Sequence, residues 1–211
     1  AGFIEEYPAA QIYRDERINR IFEGTNEVNR LIIGGTTLKK AILEELPIRD
    51  QIYHREENWV PNLSFSDDHE LYPEISVIEF SRSLLLYVLH KLINKYGQDL
   101  KNEQWVLEPF ADMVINLSVM QMGFSRCNKL KSGEHKTKML PVFRYSVYKN
   151  FKSFKTSVNE IIAFISDDLS FNAEMEKINS KLSILNYNTN SIGLKKVICE
   201  DLYKNGKYYL G

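Results

Sequence analysis

Glu23 sits between an apolar pair, Ile21-Phe22, and the run Gly24-Thr25-Asn26-Glu27. A carboxylate placed this way can serve as a general base. Apolar neighbours desolvate it and raise its proton affinity, and a following glycine lets backbone and ligand approach closely. Thr25 or Asn26 offers a side-chain oxygen suited to capping a helix, and Glu27 adds negative charge in the first turn. Glu23 therefore lies on the turn just ahead of a helix N-terminus, where orphan N–H groups are available to a ligand. The same residues also read as a capped surface helix whose Glu23 faces solvent.

The elements that must position this turn follow from spacing. Val28, Leu31, Gly35, Leu38 and Ile42 recur at the 3/4 interval of one helical face, which predicts a helix from Thr25 to about Leu46, ended by Pro47. Gly34-Gly35 inside it costs about 1 kcal/mol each relative to alanine. Either a neighbouring helix approaches closely there or the helix weakens there. Residues 1–24 read as the end of a preceding region, with a helix opening at Pro8-Ala9-Ala10.

Glu5-Glu6-Tyr7-Pro8, Tyr13-Arg14-Asp15, Arg17-Ile18, Ile21 through Glu27 and Arg30-Leu31-Ile32 together resemble the C-terminal signature of the FAD-dependent acyl-CoA dehydrogenases, in order over residues 2–45. The resemblance implies that Glu23 is the base that takes the α-proton of an acyl-CoA. It implies that the N–H groups of Glu23 and Gly24 hold the thioester carbonyl, and that Thr25, Asn26 and Glu27 contact FAD. Arg14, Asp15, Arg17 and Arg30 match family positions and are read as positioning or ion-pairing residues. The signature opens almost at residue 1, so the chain is expected to be a C-terminal piece of a longer protein. It most resembles the very-long-chain type with an additional helical domain. FAD belongs to the full-length enzyme and is not expected in the fragment. The resemblance further implies acyl-CoA as substrate, an electron-transfer flavoprotein as electron acceptor, and a homo-oligomer, dimer or tetramer.

Downstream the periodicity stays helical. Residues 47–74, with Pro47, Pro61 and Pro73, read as a connection whose apolar residues pack along a surface. This stretch lacks the basic amphipathic character of a membrane-binding segment. Helices are predicted from about Glu74 to Tyr96 before Gly97, over 102–128, from about Met139 to Ile165 with Pro141 in the first turn, from about Asn172 to Leu185 and from about Gly193 to Lys204. Trp105, Met113, Leu117, Met120, Phe124 and Cys127 form the expected buried face of the second. No stretch alternates with period two. The expected fold is all-α, an antiparallel bundle preceded by the last helices of a dehydrogenase C-terminal domain. The division is 1–46, end of that domain; 47–74, connection; and 75–211, additional bundle.

With 211 residues, 44% apolar and 26% charged, the chain can bury a substantial core, and a formal charge of -1 gives no argument for nucleic acid. A basic stretch from Arg126 to Lys155 interleaves with Phe143, Tyr145, Tyr148 and Phe151, and reads as the solvated face of a helix rather than a nucleic-acid patch. Cys127 and Cys199 are expected to be reduced, buried thiols of a cytoplasmic protein. His54, His69, His90 and His135 share no metal-ligand spacing, and the acidic run Asp67-Asp68-His69-Glu70 lacks the ligand geometry of a metal site. No run is apolar enough to span a membrane. The second function class kept open is a non-catalytic helical assembly or dimerisation module.

Overall fold

A computed structural model of the chain describes residues 4–6, 8–46, 48, 50–51, 69–130, 133–185 and 187–206. Every regular element among them is helical: α1 (Pro8–Asn19), α2 (Asn26–Ile42), α3 (Tyr72–Tyr96), a 3₁₀ turn (Gly97–Asn102), α4 (Gln104–Lys129), α5 (Glu134–Ile165), α6 (Asp168–Ile184) and α7 (Ser191–Asn205). Most of the expected connection, including Ile52, Trp59, Leu63 and Asp67-Asp68, lies outside the described residues, as does the tail from Lys207. Leu71, at the end of that connection, is buried under the bundle.

The helices start and stop for local reasons. Thr25 caps α2 by accepting from the Val28 N–H. Pro73 fits the first turn of α3, where its missing N–H costs nothing, and Gly97 ends that helix at a φ of 53°. Asp167 and Ser170 exchange side-chain and backbone hydrogen bonds in a capping box at α6, and Asn190 caps α7 through the Gly193 N–H. The α5 helix begins earlier than expected, at Glu134, so Pro141 lies inside it. An i,i+4 pair between Glu134 and Lys138, at 2.7 Å, supports that extra turn, and Glu134 also favours the helix start.

At 32 residues and about 48 Å, α5 is the spine of the bundle. It runs antiparallel to α4: Gly123 meets the Phe143 ring near one end, and Trp105 lies near Phe164 at the other. Phe80 of α3 packs edge-on against Phe151, at 6.4 Å between ring centres. Lys195 of α7 lies over the Tyr145 ring, and Lys138 reaches Asn205. Glu174 of α6 bonds both Tyr87 and Lys91 of α3. One apolar core runs through α2, α3, α4, α5 and Ile178 of α6, with Phe80, Phe110, Phe154, Met113 and Met120 fully enclosed. Trp105 does not join it; at 84% exposure it stands in the first turn of α4, on the rim of a cleft shared with Phe164 of α5.

On α2 Leu31 and Leu38 face the core as expected, but Gly34 and Ala41 join them in place of Gly35 and Ile42. Leu38, Gly34 and Ala41 are buried, whereas Val28 is exposed. A Cβ on Gly34 would lie 2.8 Å from the Leu107 carbonyl oxygen, while Gly35 has nothing within 4 Å. Of the two readings of the Gly-Gly pair, close helix approach is the one found, and it involves Gly34.

Candidate functional site

The turn between α1 and α2 is built by backbone closure. The N–H groups of Ile21 and Phe22 both return to the Ile18 carbonyl, and the Asn26 N–H donates to the Arg20 carbonyl at 3.1 Å. Closing that loop in five intervening residues needs a left-handed stretch, and it falls on Glu23, at φ 53°, and Gly24, at φ 103°. Such a conformation is ordinary for glycine and uncommon for glutamate. The Asn29 side chain donates to the Gly24 carbonyl at 3.0 Å, pinning the turn to the second turn of α2.

Glu23 is exposed, as are Ile21, Phe22 and Val28 beside it. The apolar neighbours expected to desolvate Glu23 are present, but they face solvent alongside it. Thr25 is committed to its cap, and the Glu27 carboxylate is held below the usual range by the backbone N–H at its own position, then by the Thr25 hydroxyl. Glu23, Gly24, Thr25, Asn26 and Glu27 are thus brought together on one turn and helix start, with an apolar surface around them.

Of the candidate positioning residues, Arg14 reaches Glu5 at 3.7 Å and Arg30 has the stronger setting. Its Nε lies 2.6 Å from Asp112 Oδ1 on α4, and its Nη1 donates to the Asn26 carbonyl at 3.2 Å. Asp112 was not readable as a partner, because it shares the largely apolar run Val106–Met120 with Glu108 and its partner lies far away in sequence.

A second polar cluster lies where α3, α5 and the loop before α7 meet. Glu74 is 4% exposed, its Oε1 is 3.4 Å from Arg144 Nε, and its Oε2 has no hydrogen-bond partner among the described residues. Burial pushes its carboxyl above the usual range despite Arg144. Within the basic stretch, Lys136 pairs with Glu70 at 2.9 Å, and Lys138 and Arg144 pair with Glu134 and Glu74. Among the described residues no group of three or more His, Cys, Asp or Glu is placed to hold a metal ion, and no helix is long and apolar enough to cross a membrane.

Both cysteines are free. Cys127 is buried as expected. Cys199 is exposed, because α7 leaves none of its residues buried.

Flavin fits the turn on one side. The exposed apolar side chains Ile21, Phe22 and Val28 flank a helix start with polar groups, which suits a flat, partly apolar ligand. Among the described residues these side chains have solvent in front of them, so the turn forms one wall.

Residues 1–38 and residues 81–176 each match a family described as "Acyl-CoA dehydrogenase, C-terminal domain", and the two matches take in more than half of the chain. A probable acyl-CoA dehydrogenase of Bacillus subtilis is 30% identical over 98% of this chain, which covers 35% of that protein. The short-chain specific mitochondrial acyl-CoA dehydrogenase of Bos taurus is 50% identical over 38 residues, 18% of this chain and 9% of that protein. Among solved structures, an acyl-CoA dehydrogenase complexed with FAD from Bacillus anthracis matches 99% of this chain and 36% of its own, with a TM-score of 0.86 and 29% identity. The chain thus spans about a third of the length of its Bacillus relatives. By its two matched stretches and by its fold, it belongs to the acyl-CoA dehydrogenase family, to whose C-terminal helical domains it corresponds.

Proposed function

We propose that this chain is the C-terminal part of an FAD-dependent acyl-CoA dehydrogenase and supplies its catalytic base, Glu23. The observation that carries the reading is the turn itself. Glu23 and Gly24 are both left-handed, immediately ahead of the α2 N-terminus, and the Glu23 side chain is exposed beside exposed apolar side chains.

In this reading Glu23 accepts the α-proton of the acyl-CoA as the α-C–H bond breaks. The Glu23 and Gly24 N–H groups donate to the thioester carbonyl and stabilise the negative charge that builds there. Bound FAD supplies the acceptor for the hydride from the β-carbon, and a trans-2-enoyl-CoA results. Thr25, Asn26 and Glu27, at the helix start, would hold the cofactor. Substrate and cofactor would cover the exposed Ile21, Phe22 and Val28, and that cover would supply the desolvation the turn lacks by itself.

The bundle over 75–211 is an additional domain, joined by 47–74 to the dehydrogenase end over 1–46. By analogy with very-long-chain enzymes it points to long acyl chains. The full protein is a cytoplasmic homo-oligomer of fatty acid β-oxidation that passes electrons to an electron-transfer flavoprotein. The exposed Ile12, Tyr13 and Ile18 of α1 also favour an assembly role for this end of the chain, with protein in place of solvent on that face.

Anaerobic titration of the full-length protein with acyl-CoAs, read by flavin absorbance, tests the proposal. Wild type is bleached, and Glu23→Gln binds flavin and acyl-CoA but is reduced several orders of magnitude more slowly, since the amide cannot take the proton. Reduction of the variant at the wild-type rate places the base elsewhere.

A further inference from the structure

We infer that Asp112, on the additional bundle, is a positioning residue for the Glu23 turn, acting through Arg30. The inference rests on the reading of Glu23 as the base, and it gives the bundle a part in the chemistry. Within the packed α2–α4 contact, a close approach and an ion pair stand out. Gly34 lets the α2 backbone come close to the Leu107 carbonyl, which sets how near the helices lie. Leu38 and Ala41 hold the far half of α2 in the core, and the half nearer Glu23 needs a point of its own.

Arg30 provides that point, one turn nearer the catalytic end. Its guanidinium spans two partners at once, Asp112 Oδ1 on α4 at 2.6 Å and the Asn26 carbonyl of α2 at 3.2 Å. Both side chains of the pair are about two-thirds shielded, at 29% and 34% exposure. An arginine fork held this way resists rotation better than a point charge does. From Asn26 the brace continues through its N–H to the Arg20 carbonyl, across the loop that contains Glu23 and Gly24. Asn29, beside Arg30, holds the Gly24 carbonyl from the other side. Asp112 is itself fixed on α4, where its carbonyl accepts from the Asn116 side chain. Turning α2 by a fraction of a residue would swing the Glu23 and Gly24 N–H groups off a bound thioester, although neither touches Asp112.

The test is Asp112→Asn in the full-length protein, which keeps the shape of the side chain and removes its charge. Hydrogen exchange by mass spectrometry is read over residues 20–30, without substrate. The expected result is faster exchange there than in wild type, with α5 unchanged. In flavin reduction at saturating acyl-CoA, the rate falls about tenfold to a hundredfold while KM stays within about twofold, because orientation and not affinity is lost. An α-deuterated acyl-CoA shows a larger isotope effect in the variant. Arg30→Lys, which keeps the charge and loses the fork, gives the same changes at smaller size. Unchanged exchange over 20–30, or a normal rate with only a lower melting temperature, overturns the inference. A wild-type flavin that no acyl-CoA reduces would instead sink the Glu23 reading, and the exchange comparison would still decide whether the brace exists.

Discussion

Gly34 and Leu107 are matched across the α2–α4 contact: a single added Cβ on Gly34 would lie 2.8 Å from the Leu107 carbonyl oxygen, with backbone on both sides. Neither partner can move aside as a flexible side chain would. Gly34→Ala is therefore expected to destabilise the chain by about 1–3 kcal/mol, as overpacking does. Gly35→Ala meets open space and gains helix propensity, so it is expected to stabilise by up to about 1 kcal/mol. Denaturant midpoints of the two variants, one position apart and opposite in sign, check both statements.

Glu74 makes stability depend on pH in an unusual direction. Its carboxyl is raised from 4.5, first by burial, which outweighs the attraction of Arg144. The folded state then holds this proton more tightly than the unfolded chain does. Its contribution is fully present below the unfolded value and is lost as pH rises through the folded one. Glu74→Gln removes that fall. Urea midpoints between pH 4 and 8 should decline more in wild type than in the variant, and parallel curves would show that burial of this carboxylate costs nothing.

The two thiols should separate cleanly by reactivity. Cys127 is buried in the bundle and burial pushes its thiol up, while Cys199 lies on the open side of α7. A thiol reagent at pH 8 is expected to modify one cysteine in the folded chain and two in guanidinium. Rapid labelling of both in the folded chain would mean that α4 and α5 part readily around Cys127.

The 211-residue chain alone is expected to purify colourless and to leave acyl-CoA unchanged. Its described residues give only one wall of the site, with Ile21, Phe22 and Val28 facing solvent. Absorbance between 350 and 500 nm after incubation with FAD checks this, and a retained flavin spectrum would show that one wall is enough.

Helix existence and type were legible in the sequence wherever apolar residues recur over several turns, as from Leu84 to Leu92 or Val147 to Ile161. What was not legible depended on partners distant in sequence. The face of α2 keeps Leu31 and Leu38 but takes in Gly34 and Ala41, which look neutral by composition and meet the Leu107 backbone and the core, and leaves Val28 out. Pro141 marks a first turn when read alone, yet the Glu134–Lys138 pair carries the helix back past it. Trp105 has the character of a core residue, but it sits at the end of a helix that its neighbours do not cover. At the site the residue types were readable from their spacing. The left-handed backbone of Glu23 was not, because it follows from closure between Asn26 and Arg20.

Arg30 and Asp112 are separated by 82 positions along the chain, whereas α4 and α5 are joined by a few residues after Lys129. Bringing Arg30 to Asp112 closes a long loop, at an entropic cost of about 4 kcal/mol, and the α4–α5 hairpin has far less to close. The order of assembly follows. The hairpin and α3 are expected to collapse first on local contacts, with α2 docking afterwards onto a surface already formed. The Glu23 turn is therefore expected to be completed last, with the finished bundle acting as its template.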